Sequence, residues 1–348
     1  MWFTAVQPFS VKGRLIGSGH PCFVIAEAGV NHNGDIRLAH QLVDVAATCG
    51  ADAVKFQMFV PDALVSMTAA AAPYQRDQGA VTQRAMLESL VLPKAAWKEL
   101  ASHAVDRGLI FTATAFDACS LDVLLDLGVP VLKIPSGELD NSRYIELVAS
   151  KGLPLIISTG ISTIHEVDTA IAAARAAPSI ALLHCVTAYP APVEASNLRA
   201  ISALARHFGV PVGWSDHTQG YMTAIAALAL DASILEKHIT TDQALPGPDH
   251  AASADPAEFK AYVQAVRAAE AALGDGVKEP APAELENRQF ARRSFHAARN
   301  LHPGEVIREE DVRLLRPATG LAPSADVIGR TVRREIIAGN PILAEHLR

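Results

Sequence analysis

The chain has 348 residues, half of them hydrophobic and 19% charged, enough for one large core plus a small second domain and too apolar for a disordered chain. Acidic residues outnumber basic ones 37 to 30 and no polybasic run occurs, which argues against a nucleic-acid groove or an anionic membrane surface as partner. Residues 1–21 lack an apolar core behind a positive start, the greasiest stretch (223–235) is broken by Asp231, and Cys22, Cys49, Cys119 and Cys185 form no CxxC pair; the reading is no signal peptide, no membrane span, reduced thiols and a cytoplasmic default.

In chain order, eight short apolar runs alternate with helix-like segments: 22–29, 51–59, 109–116, 131–137, 154–160, 180–186, 211–217 and 233–240. Near-continuous hydrophobicity marks strands buried on both faces, and spacings of roughly 20 to 35 residues leave room for one helix and two loops. The economical architecture is an α/β protein, a closed (β/α)8 TIM barrel. Trp97, Leu100 and Ala104 share one face of a segment ending at Gly108, and Asp255, Pro256 and Glu258 supply an N-cap, an N1 proline and an N3 acid. The interval between the second and third strands is longer, so Val60 to Val91 is read as a long loop at the barrel mouth, placed to cover a substrate.

The last barrel helix ends near Leu273, giving an N-terminal extension and barrel over 1–274, an exposed linker over 275–289 and a loop-rich module over 290–348. That module holds ten arginines against seven acids and no lysine, so it is net positive where the remainder is net negative.

Reactive groups of such barrels gather at the C-terminal ends of the strands. Glu27, Lys55 with Gln57, Thr114, Lys133 with Ser136 and Glu138, Ser158, Thr159, Tyr189, Ser215 to His217 and Glu236 to His238 all stand at or just beyond those ends. His217 and His238 close neighbouring strands and can converge on one ion, which water and substrate oxygens would complete; the alternative is a pair of core histidines, and His32 is a weaker third candidate. Lys55, Lys133, Ser136, Ser158 and Ser215 together suit a ligand with both a phosphate and a carboxylate, such as phosphoenolpyruvate, although any one serine there also serves as a strand-end hydrogen bond. Glu138 is placed to move a proton, or else to pair structurally with Lys133.

IAEAGVNHNGD, VKFQ, KIPSGE, ISTG, LHCVTAYPAP, GWSDHT, EKHIT and GPDHAAS, in this order and followed by a tail with RPATG, resemble the bacterial sialic acid synthases from about Pro21 to Arg348. The tail is similar to the antifreeze-like SAF domain. The resemblance implies condensation of phosphoenolpyruvate with N-acetylmannosamine and water to an N-acetylneuraminate-type acid and phosphate, or, as the alternative, use of 2,4-diacetamido-2,4,6-trideoxymannose to make N,N'-diacetyllegionaminate. It implies Mn2+, with Mg2+ or Co2+ as substitutes, on His217 and His238. Phosphoenolpyruvate would be held by Lys55, Thr114, Lys133, Ser136, Ser158 and Ser215. Glu27, Gln57, Tyr189 and Asp249 would face the amino sugar, with Glu138 and Glu27 as the catalytic carboxylates and Glu138 moving the proton. A homodimer is implied, each tail covering the partner's active site and Arg316 reaching toward the N-acyl end of the sugar. Ala318, where the family more often has glycine, and Thr187, where some members have asparagine, depart from the pattern on the sugar side. GPDHAAS and the PYQ segment, 73–75, resemble the branch using N-acetylmannosamine or the diacetamido sugar rather than the pseudaminic branch. Two other readings stand beside this one: a Schiff-base aldolase built on Lys133 or Lys237, and a non-catalytic carbohydrate- or ice-binding protein.

Overall fold

A computed structural model describes residues 9–66 and 82–348, so the PYQ segment and residues 1–8 lie outside the described residues. The described residues begin with an antiparallel hairpin, β1 (Phe9–Val11) and β2 (Arg14–Ile16), paired Phe9 to Ile16. Eight parallel strands follow: β3 (Phe23–Gly29), β4 (Ala53–Met58), β5 (Ile110–Ala115), β6 (Leu132–Ile134), β7 (Leu155–Ser158), β8 (Ile180–Cys185), β9 (Val212–Asp216) and β10 (Ile234–His238). They close in sequence order, β10 pairing back onto β3, and each lies inside one of the apolar runs. The (β/α)8 barrel read from the sequence is the fold observed.

The intervening helices begin where short polar side chains can accept a free backbone N–H. Asp35 accepts from Arg37 N at 2.8 Å ahead of the helix Ile36–Cys49, and Asp117 accepts from Ser120 N at 2.8 Å ahead of Ala118–Asp126. Thr163 with Glu166, and Asp255 with Glu258, form reciprocal capping boxes. Pro256 occupies the first turn of the last barrel helix, Pro256–Leu273, as its sequence predicts.

At the N-terminal end the hairpin closes the barrel. Phe9, Val11 and Ile16 pack onto the first inward residues of the strands, among them Phe23, Ile25, Ile156 and Ile234. Asp52 anchors this closure, its carboxylate accepting from Arg14, from Arg267 Nη2 at 2.8 Å and from Val24 N at 2.7 Å. The described part of the long segment after β4 is not plain loop: it holds short helices, Pro61–Leu64 and Gln83–Ser89, gathered by Val30, Phe59, Leu87 and Leu90.

The chain divides into two compact units, Met1–Gly274 and Asp275–Arg348. Within the second, 275–289 is not a structureless linker, because a helix, Pro282–Ala291, starts there with proline at its first turn and Glu284 Oε2 accepting from Ala281 N at 2.9 Å. Its residues are exposed, which is why composition alone reads as linker. The rest carries an antiparallel pair, β11 (Ser294–Ala297) and β12 (Val312–Leu315), over a small core of Leu301, Ile307, Val327, Val332 and Ile342. Among the described residues no helix is long and apolar enough to cross a membrane.

Candidate active site

Side chains alternate in and out along each strand, so the strand register decides which polar groups share the barrel mouth. Glu27 on β3 is in register with His238 on β10 and with Lys55 on β4; Gln57 pairs with Thr114 on β5, Thr114 with Lys133 on β6, and Ser215 on β9 with Glu236 on β10. Residues from six strands thus meet in one buried cluster. Lys55 Nζ lies 2.9 Å from Glu27 Oε2 and 3.6 Å from Glu236 Oε2, and donates to Thr114 Oγ1 at 3.1 Å. Gln57 Nε2 donates to Glu27 Oε1 at 3.2 Å, and Ser215 Oγ to Glu236 Oε1 at 2.9 Å.

Across the mouth, Lys133 Nζ donates to Ser158 Oγ at 2.5 Å and to the Ile134 carbonyl at 3.3 Å. Ser136 Oγ accepts from Gly160 N at 3.0 Å and lies 3.2 Å from Cys185 Sγ. A Cβ on Gly160 would fall 2.8 Å from Ser136 Oγ, so glycine is what lets the loop after β7 approach this hydroxyl. Lys133 is 5% exposed and has no carboxylate within 4.0 Å among the described residues.

Burial and charge set opposing ionisation tendencies here. Burial pushes the Glu27 carboxyl up, against the pull of Lys55. It opposes ionisation of Glu236 as well, but the ammonium groups of Lys133 and Lys55 and the Ser215 hydroxyl outweigh it and hold Glu236 at about 2. Lys55 is raised, because Glu236 and Glu27 overcome its desolvation, whereas in Lys133 desolvation wins and the ammonium is destabilised.

His217 follows β9 and donates from Nδ1 to the Val186 carbonyl at 2.7 Å, which leaves Nε2 with its lone pair, 3.5 Å from Ser215 Oγ. His238 ends β10 on the same side; its Nδ1 is buried without a hydrogen-bond partner among the described residues, with Asp249 Oδ2 3.9 Å away. The two ring centroids are 5.7 Å apart, and Tyr189 lies against His217 at 4.3 Å with the rings tilted by 37°, and meets His238 edge-on at 5.8 Å. Burial lowers both imidazoles, His238 to about 4, so both are neutral and able to act as ligands near pH 7. An orphaned imidazole nitrogen beside one whose tautomer is locked by a backbone carbonyl fits a divalent ion with open positions.

Other residues stand elsewhere. His32 is fully buried behind the barrel wall, between Phe56 and an edge-on Trp97 whose centroid is 6.2 Å away, so it does not join the imidazole pair. Lys237 points outward, with Asp216 at 3.5 Å, the Thr218 carbonyl as acceptor and the Tyr262 ring at 5.5 Å; strand alternation removes it from the mouth, and with it one of the two amines offered for an imine. Glu138 is half-buried in the short 3-10 turn Ser136–Glu138; its Oε2 accepts from Asn141 Nδ2 at 2.8 Å, so it is not the partner of Lys133. Asp249 precedes the 3-10 turn His250–Ala252, and burial raises its carboxyl. Arg316 belongs to the second unit and is exposed, at a cis bond to Pro317. Glu236 received no role from the sequence, yet it lies 3.6 Å from Lys55 and its charge acts on both lysines; its spacing of two from His238 on one strand was the available signal.

Residues 42–278 match the NeuB family and residues 292–348 the SAF domain. The chain is 46% identical over 341 residues to N,N'-diacetyllegionaminic acid synthase of Legionella pneumophila, covering 95% of this chain and 96% of that protein. The protein of the same name from Campylobacter jejuni is 41% identical over 307 residues, 86% of this chain and 91% of its own. The crystal structure of N-acetylneuraminic acid synthetase from Leptospira borgpetersenii, in complex with citrate, aligns with a TM-score of 0.73 at 33% identity, covering 81% of this chain and 95% of that one.

Proposed function

The chain belongs to the NeuB family and ends in a SAF domain, and from that premise we propose that it condenses phosphoenolpyruvate with 2,4-diacetamido-2,4,6-trideoxymannose and water, giving N,N'-diacetyllegionaminic acid and phosphate. The sequence reading put N-acetylmannosamine first and this sugar second; the names of relatives at 46% and 41% identity support the second. The observation that carries the phosphoenolpyruvate half is Lys133, a buried ammonium without a carboxylate partner among the described residues, facing the Ser158 hydroxyl. An unpaired buried charge is costly, and an anionic substrate removes the cost by completing the pair.

In this reading Lys133, Lys55 and the hydroxyls of Thr114, Ser136, Ser158 and Ser215 grip the phosphate and carboxylate of the enol phosphate. Glu236 offsets part of the desolvation of both ammonium groups, with Lys55 Nζ 3.6 Å from its Oε2. Gln57, Tyr189 and Asp249 line the side on which the sugar enters, near the imidazole pair. A divalent ion, Mn2+ first and Mg2+ or Co2+ as substitutes, held by His217 and His238, supplies polarisation of a carbonyl oxygen. The methylene carbon of the enol phosphate bonds to the aldehyde carbon of the open-chain sugar, water adds to the enol carbon that bore the phosphate, and the C–O bond to phosphate breaks. The proton lost by water on addition goes to Glu138, whose carboxylate is steadied by Asn141, with Glu27 as the second carboxylate at the mouth. The hydroxyl of the hydrated carbon gives up a second proton as it becomes the ketone; of the two protons, the aldehyde oxygen takes one to become the new hydroxyl and the departing phosphate the other. We extend the proposal to a homodimer in which the tail of one copy covers the mouth of the other, with Arg316 directed at the N-acyl groups.

The test is to incubate the full chain with Mn2+, phosphoenolpyruvate and either sugar, following phosphate release and weighing the product by mass spectrometry. Faster phosphate release with the diacetamido sugar and a product of the corresponding mass support the reading; preference for N-acetylmannosamine overturns the sugar, and no release with either overturns the reaction. Borohydride trapping of a pyruvate adduct on Lys133 would instead establish the aldolase.

A further inference from the structure

On the outer wall, the helix Ile36–Cys49 packs against the helix Lys94–Asp106. Each presents a histidine and a carboxylate four residues apart, His40 with Asp44 and Glu99 with His103, so each pair lies on one helix face. The pairs cross-connect. His40 Nε2 meets Glu99 Oε1 at 2.9 Å, His103 Nε2 meets Asp44 Oδ1 at 3.1 Å, and the two Nδ1 atoms contact each other edge to edge, the ring centroids 4.6 Å apart and the planes 26° from parallel. Arg107 Nε lies 3.0 Å from the same Asp44 Oδ1.

The proton inventory of this arrangement is what calls for a ligand. A carboxylate can only accept, so each Nε2 must carry its hydrogen. Neutral rings then point two Nδ1 lone pairs at each other, a repulsive contact unless an electrophile sits between them. A shared proton is one such electrophile and a metal ion is another. Two convergent imidazole nitrogens whose outer N–H groups are fixed by carboxylates are also the arrangement that metal-binding histidines use to set their tautomer and raise their basicity.

We propose that His40 and His103 bind a borderline divalent ion of the Zn2+, Ni2+ or Cu2+ class through their Nδ1 atoms, tying the two helices together, with Asp44 and Glu99 as outer partners. Imidazole ligands favour these ions over Mg2+ or Ca2+. The rings must part slightly to admit Zn–N bonds of about 2.0–2.1 Å, and their side chains, 23% and 24% exposed, have room to do so. Water completes the shell from a surface hollow of about 510 Å³ that both histidines line together with Lys98 and Ser102. This site is independent of the catalytic reading, since none of its residues faces the mouth.

Calorimetric titration of the metal-free full-length chain with ZnCl2 tests it, run in a His217→Ala background so that the mouth contributes no competing pair. One binding event is expected. It should vanish with His103→Ala or His40→Ala and weaken by roughly tenfold with Asp44→Asn, the scale on which outer partners act. Circular dichroism of each variant verifies its fold, and the imidazole NMR resonances of His40 and His103 should shift on Zn2+ addition in the otherwise unaltered chain. Absence of binding in the His217→Ala chain, or binding indifferent to both histidine substitutions, overturns the proposal and leaves the pair as one sharing a proton.

Discussion

Lys133 and His32 show how much a single buried group depends on what it faces. Lys133 has a hydroxyl and a carbonyl for partners and its ammonium is destabilised by burial, which is what an anionic substrate would relieve under the proposed function. Lys133→Met is expected to lower kcat/KM for phosphoenolpyruvate by about 10²–10³, the scale of losing one preorganised electrostatic contact. The fold should survive, since a methionine suits the vacated volume; steady-state kinetics with varied phosphoenolpyruvate is the check, and a change under threefold would exclude Lys133 from substrate binding. Burial, and after it the neighbouring His250, lower His32 to about 4 from an ordinary 6.5. Between those two values the unfolded chain holds the proton and the folded chain does not, so stability declines as pH falls from 6.5 towards 4, while above 6.5 the effect is absent. The contribution is on the order of 3 kcal/mol. Urea midpoints measured across pH 7 to 4 should therefore fall less steeply in a His32→Asn chain than in the parent, and parallel curves would disprove the assignment.

At the scale of elements, the strands were legible because both of their faces are buried, so hydrophobicity runs unbroken along them, and the helices because their caps are local chemistry. The helix Pro282–Ala291 was not legible: its residues are exposed all round, so no apolar stripe betrays a period. The hairpin β1–β2 was missed for another reason, because three-residue strands carry too few positions to display alternation. Its seat depends on Asp52, in the turn before β4, which gathers Arg14, Arg267 and the Val24 amide. Asp52→Ala would leave two guanidinium groups and an N–H without their acceptor. With these groups partly exposed, a loss of about 2 kcal/mol is expected, with turnover per folded molecule unchanged because the barrel mouth lies at the opposite end of the strands. Thermal unfolding combined with kinetics tests this, and a stability unaltered by the change would mean that the apolar contacts of Phe9, Val11 and Ile16 hold the hairpin alone.

For the whole molecule, the consequential claim is that one copy's tail serves another copy's barrel. If so, two dead variants should rescue each other: His217→Ala inactivates a barrel and Arg316→Ala a tail, and a mixed dimer contains one intact pairing of barrel and tail. Unfolding and refolding the two variants together at equal amounts should restore roughly a quarter of the parental activity, the share given by random pairing in a twofold assembly. Activity no higher than the sum of the separate variants would mean that each tail acts on its own chain or not at all.

Residue types and their order along the chain were enough to determine the barrel, the tail that follows it and the ring of strand-end groups, since those follow from local periodicity and from motifs in a set sequence. Which of the strand-end groups share a site was decided only by the closed tertiary structure. A shift of one residue along a strand moves a side chain from the mouth to the outer wall, and this separates Lys237 from Glu236 and His238 although they are adjacent in sequence. The same closure brings β10 beside β3, placing His238 in register with Glu27, two residues more than two hundred positions apart in the chain. No periodicity along the chain encodes that contact, because it arises from burying every strand edge at once.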